Sequence, residues 1–87
     1  MKLQFHRRFE KQFKKLTAGQ KQKVKKTIEL FSQNPMRPSL QNHSLVGRMK
    51  AFRSISVSGD MRIIFQEFDH YTLVVFLALG SHSRVYK

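Results

Sequence analysis

KAFRSISVSGDMRIIFQEFDHYTLVVFLAL, residues 50–79, decides the fold. It breaks into three runs, 50–57, 61–68 and 71–79, each rich in β-branched and aromatic residues. Two short connections of hairpin type, Ser58-Gly59-Asp60 and Asp69-His70, separate them. The pattern predicts an antiparallel meander of three strands. Upstream, NPMRPSLQNHSLVGR (residues 34–48) holds both prolines with several Ser and Asn and reads as a connecting loop. Before that loop the apolar spacing changes from two to nearly four. Phe5, Phe9, Phe13 and Leu16 mark one face of an amphipathic helix beginning near His6. Thr17-Ala18-Gly19-Gln20 has the form of a capping box opening a second helix, which runs to about Ser32 with Val24, Ile28 and Phe31 inward. Asn34-Pro35 stops it, because a residue before proline avoids the α region. MKLQFH, residues 1–6, alternates as a short strand. The expected architecture is α+β and a single domain over 1–87. It comprises an N-terminal strand, a two-helix hairpin and a three-stranded meander in one sheet, with the helices on one face and the other partly open.

Composition limits what such a domain can do. In 87 residues, 17 Lys and Arg oppose five Asp and Glu for a net charge of +12, which points to a polyanionic partner. Ten of those 17 cations lie in residues 1–26, where Glu10 is the one acid. A chain without cysteine has no disulfide, thiol nucleophile or Cys-based zinc site. Residues 1–10, MKLQFHRRFE, lack the apolar core of a signal peptide, and LVVFLAL (73–79) is far shorter than the ~20 apolar residues that span a bilayer. The expectation is a soluble, cytoplasmic protein with no membrane partner.

The chain closes on GSHSRVYK, residues 80–87, which leaves an imidazole among cations at the end of the most apolar strand. Arg48, Lys50 and Arg53 fall at the start of the meander, Arg62 on its second strand, and Arg84 and Lys87 on the tail around His82. Guanidinium forks suit phosphate oxygens, and imidazole titrates near neutrality. RNA carries its own nucleophile, the 2′-hydroxyl. A protein needs only to remove that proton, stabilise charge on phosphorus and protonate the leaving 5′-oxygen, with no cofactor. His6, His43, His70 and His82 show no metal-ligand spacing and the five acids are scattered, so no metal site is expected.

NHSLVGRMKAFRSISVSGDMRIIF (residues 42–65) followed by GSHSRVY (80–86) resembles the RelE/ParE superfamily of bacterial toxins, nearest to the RelE and YafQ type of ribosome-dependent mRNA interferase. The likeness runs from His43-x-Leu45-x-Gly47 through Arg53-Ser54 and Asp60-x-Arg62-Ile63-Ile64-Phe65 to the closing Gly80-Ser81-His82, with Tyr86 four residues later. The resemblance implies a RelE-like fold and a metal-independent endoribonuclease. His82 would be the general acid or base, Arg62 the holder of the scissile phosphate, His43 and Asp60 assistants in proton transfer or positioning, and Tyr86 a base-stacking or catalytic group. Lys50 and Arg53 match basic positions of the pattern and, with Arg48, Arg84 and Lys87, would contact RNA. It also implies a cognate antitoxin as partner, the ribosome and mRNA as targets, and DNA reached only through the antitoxin. Ser56, Ala78 and Ser44 stand where YafQ-like members carry His, Arg and Pro. Arg53 shares a strand face with Ile55 and Val57, so a structural arginine paired with Asp60 stays open beside a phosphate ligand, and Asp60 reads equally as a turn former. A ParE-like inhibitor of DNA gyrase, or a ribosome- or RNA-binding relative without chemistry, are the alternatives of a different class.

Overall fold

A computed structural model describes residues 1–81. The elements in chain order are β1 (Lys2–Phe5), α1 (Arg7–Lys14), α2 (Ala18–Gln33), a 3-10 turn (Pro38–Leu40), β2 (His43–Ser44), a second 3-10 turn (Gly47–Met49), β3 (Arg53–Ser58), β4 (Met61–Phe68) and β5 (Leu73–Ser81). The strands form one sheet in the order β1-β5-β4-β3-β2, with β1 parallel to β5 and the other pairings antiparallel.

The sheet thus has five strands. The fifth, β2, lies inside the stretch expected to be plain loop, where His43 pairs with Ser54 and Ser44 with Arg53. Two residues cannot display a period of two, so nothing local announces this strand. β3 begins at Arg53, three residues later than expected, because the second 3-10 turn carries the chain through Lys50. β5 begins at Leu73, two residues later than expected, since Asp69, His70 and Tyr71 all take left-handed backbone with φ of 55°, 53° and 66°. This turn is held by Thr72 Oγ1 donating to Asp69 O at 2.6 Å and by Tyr71 N donating to the Glu67 carboxylate at 2.9 Å. The β3–β4 turn places Gly59 at φ 53°, a conformation glycine adopts without a Cβ penalty.

Local chemistry fixes both helices. His6 caps α1, its Nδ1 accepting from Arg8 N at 3.0 Å. The capping box of α2 is formed in both directions: Gln20 N donates to Thr17 Oγ1 at 3.1 Å and Thr17 N to Gln20 Oε1 at 3.0 Å. Val24 and Phe31 are buried and Ile28 packs beside them. No helix among the described residues is long and apolar enough to cross a membrane.

Aromatic rings join the helices to the sheet. Phe31 meets Phe65 edge-on at 5.0 Å between centroids and Phe76 at 5.7 Å, while Phe9 lies 5.8 Å from Phe76. Of the rings expected in the core, Phe9, Phe31 and Phe65 are buried and Phe13 packs at the edge; Phe5 is 42% exposed, stacked on Phe76 at the mouth of a groove between the helices. A smaller apolar cluster forms on the opposite face, where Leu45, Met49 and Phe52 fold over Ile64 and Ala78.

Replacing Phe31 with Ala removes a ring with no exposure from the centre of this cluster. The expected cost is about 3–5 kcal/mol, a large share of the ~5–15 kcal/mol available to a domain. Phe5→Ala, at the rim, costs clearly less. Urea titration of the two variants checks the order.

Candidate active site

Strand register sorts the side chains into two faces. Ile55, Ile63 and Leu79 are paired neighbours and belong to the core beneath the helices. The rows on either side of them, Ser54–Ile64–Ala78 and Ser56–Arg62–Gly80, therefore lie on the open face. His43 opposes Ser54 and joins that face at the sheet edge. Two strand spacings and two residues along the strand put the His43 and Arg62 Cα atoms roughly 12 Å apart, so both long side chains can reach one phosphodiester between them.

β5 keeps one phase only as far as Phe76. Phe65 pairs with Phe76 and Ile64 with Ala78, so Leu77 is an extra residue on β5. Val74 and Phe76 face the helices before this bulge, whereas Leu79 does after it. The bulge thereby transfers Ala78 and Gly80 to the face of Arg62, the kind of re-aiming bulges perform near functional sites.

Arg62 is half-buried, and its Nη1 donates to Gly59 O at 2.9 Å and to Met61 O at 3.1 Å. The guanidinium is thus folded against the turn that carries Asp60, and Nε and Nη2 make no hydrogen bond among the described residues. Asp60 is exposed. His43 is also exposed, with Nδ1 at 2.8 Å from Gln41 O. A carbonyl only accepts, so this contact uses Nδ1 as the donor, and Nε2 makes no hydrogen bond among the described residues.

Arg53 belongs to the other face. It pairs with Phe65 and its Nε donates to Asn42 Oδ1 at 2.8 Å, with no bond to Asp60 among the described residues. It does not converge with Arg62. Asn42, immediately before His43, ties several elements together: its Nδ2 donates to Pro35 O at 3.0 Å and to Tyr71 Oη at 3.1 Å. Tyr71 packs in turn against Phe31 and Phe65 at 6.1 and 6.4 Å. Asn42 and Tyr71 had no signal in sequence, because their partners come from distant segments. Arg48 and Lys50 are exposed at the second 3-10 turn, beside the apolar loop over the open face. That loop leaves a cavity of about 230 Å3 lined by His6, Arg8, Met49, Phe52, Leu77 and Ala78 with Ile64. Ser56 stands next to Arg62, and Ala78 is buried against Ile64. His82, Arg84, Tyr86 and Lys87 lie outside the described residues; the last of these, Ser81, is paired with Met61, between Asp60 and Arg62.

A family model described as the bacterial toxin of type II toxin-antitoxin systems, YafQ, matches residues 1–87. The chain belongs to the YafQ toxin family. Among solved structures, YafQ from E. coli strain BL21(DE3) superposes with a TM-score of 0.77 at 23% identity, over 98% of this chain and 97% of that one. A copper-bound mutant toxin from Helicobacter pylori gives 0.71 at 28% identity over 98% of each chain. Archaeal RelE, solved with RelB from Pyrococcus horikoshii, gives 0.75 at 16% identity over 95% and 96%. A search of curated protein sequences finds no match. Membership of this family makes the chain a toxin of the type II toxin-antitoxin class, and the solved structures share its RelE-like fold.

Asn42→Ala leaves the Arg53 guanidinium without its Asn42 acceptor and the Tyr71 hydroxyl with Met36 Sδ alone. It should destabilise the protein by about 1–3 kcal/mol. It should also speed hydrogen exchange of the Leu45 amide, which donates to Phe52 O at 3.0 Å. Thermal unfolding and amide exchange measured by NMR check both.

Proposed function

We propose that this toxin is an endoribonuclease that cuts mRNA on the ribosome. The 2′-oxygen of one nucleotide attacks the adjacent phosphorus, the P–O bond to the 5′-oxygen breaks, and the products are a 2′,3′-cyclic phosphate and a free 5′-hydroxyl. One group takes the 2′-proton and another returns a proton to the leaving oxygen. In this reading His82 and His43 are those groups, Arg62 holds the phosphate and its developing charge, and Asp60 orients its neighbours. Tyr86 stacks on a base, and Arg48, Lys50, Arg84 and Lys87 contact the strand. Arg53 acts at one remove, steadying the His43 loop through Asn42.

The observation that carries the proposal is the pairing of Met61 with Ser81 and of Arg62 with Gly80. Ser81, the described residue next to His82 in the chain, thus lies beside the hairpin bearing Asp60 and Arg62. The exposed His43, whose Nε2 makes no hydrogen bond among the described residues, supports the same reading from the other edge of the face. A face this small has little with which to order a flexible strand, so the ribosome supplies the orientation and the cytoplasm is the site of action. E. coli YafQ has been crystallised with DinJ and archaeal RelE with RelB. By the same logic a cognate antitoxin neutralises this chain, and any contact with DNA runs through that antitoxin.

In a translating extract, primer extension should show cuts in phase with codons. His82→Ala should abolish them, and Arg62→Ala should slow them by about 10²–10³-fold, the loss typical of a donor to developing charge. Undiminished cleavage by the His82 variant, or inhibition of gyrase supercoiling with no RNA cut, would overturn the assignment.

A further inference from the structure

The cations of the two helices are not equivalent. At 3.6 residues per turn, Arg7, Arg8, Lys11, Gln12 and Lys15 fall within a sector of about 140° around the α1 axis. They line, with His6, a basin of about 530 Å3. Glu10, the one acid of α1, lies outside this sector and lines the apolar groove with Phe5, Phe9 and Phe13 instead. On α2, Lys21, Lys23, Lys25 and Lys26 spread over about 200°. Two of them are engaged with apolar surface, Lys21 over the Phe13 ring at 5.8 Å and Lys25 at the rim of the same groove. The field of α2 is therefore diffuse, while that of α1 is gathered on one side with no acid to neutralise it.

That side abuts the candidate active site. Gln12 Oε1 accepts from Leu79 N at 2.7 Å, which pins the basin to the end of β5 next to Gly80, the neighbour of Arg62. His6 and Arg8 belong both to the basin and to the 230 Å3 cavity over the open face, where Phe52 offers a ring. From Arg8 to Lys15 the helix advances about 10 Å, some three phosphate intervals of a stacked strand at ~3.4 Å each.

We propose that the Arg7, Arg8, Lys11 and Lys15 face of α1 is a phosphodiester track that receives the RNA backbone continuing from the active site, with Arg8 at the junction. The inference rests on the RNA-directed reading above and adds to it a binding surface on the helix, off the sheet. The matching chemistry is a run of phosphates from a flexible strand, since Arg and Lys on successive turns meet successive anions and the adjoining cavity, with Phe52 at its wall, admits a base.

The test compares two full-length variants that lose the same charge: R8Q/K11Q/K15Q on α1 and K23Q/K25Q/K26Q on α2. All six residues are exposed, and circular dichroism melts confirm that each variant folds. Binding of a short fluorescein-labelled single-stranded RNA is followed by anisotropy across a salt titration. The α1 variant should bind roughly tenfold or more weakly, with the slope of log affinity against log salt reduced by about 2. The α2 variant should change by less than about threefold, since only screened long-range attraction is lost. Pelleting both variants with ribosomes separates the sources: loss on the short RNA supports the track, whereas loss on ribosomes alone overturns it, since the face would then grip ribosomal RNA and not the strand continuing from the active site. Equal losses by the two variants, or wild-type binding by the α1 variant in both assays, overturn the proposal. Because binding is read without cleavage, a wild-type protein that cuts nothing, but whose α1 variant alone loses RNA, removes the reaction and supports the track.

Discussion

The ring of Phe76 meets those of Phe5, Phe9, Phe31 and Phe65 at 5.3, 5.8, 5.7 and 6.3 Å, bringing β1, both helices and β4 to one point on β5. This burial carries an unusual burden. Residues 1–26 hold ten cations, and their mutual repulsion acts against the compact state. Apolar contact with the sheet opposes that repulsion, and tilted aromatic pairs add to the area they bury. Because the larger core cluster lies on the helix side, the opposite face has only the small cluster of Ile64 and Ala78 under the thin cover of Leu45, Met49 and Phe52. That asymmetry leaves Ser56, Arg62 and Gly80 on the thinly covered face.

The two faces also explain how arginines close in sequence differ in use. Arg53 and Arg62 are on adjacent strands, yet one looks toward the helices and bonds to Asn42 while the other looks outward beside Asp60 and Gly80. The first belongs to a clasp that includes Pro35, Asn42 and Tyr71 and holds the edge strand bearing His43. Arg53 and Ser56, the β3 partner of Arg62, are three residues apart, and that odd spacing puts the two guanidinium groups on opposite faces of the sheet.

Much of the architecture was legible because local signals were strong. Thr17 and Gln20 announced the start of α2, Asn34-Pro35 its end, and Gly59 bracketed β4 at the boundaries observed. The alternation of Arg53 with Ile55 and Val57 already told its face. What could not be read was whatever depends on partners far along the chain. β2 is too short for periodicity, and Asn42 takes partners 11 and 29 residues away, which no local pattern encodes. The turn at 69–72 lacks glycine, so its left-handed backbone carries no mark in the sequence, and β5 starts two residues beyond the point that the apolar pattern indicates. Within LVVFLAL every position is apolar, so the run contains no phase information and Leu77 could not be singled out as the extra residue.

That residue also sets what kinds of change the protein can absorb. The side chain of Leu77 is one among several lining a shallow cavity, and other apolar groups would fill its place. Its backbone is different, because the count of residues between Phe76 and Leu79 determines which surface of the sheet receives Ala78 and Gly80. Drift in composition along β5 is therefore cheap, whereas loss of a single codon there would turn the strand's far end inside out.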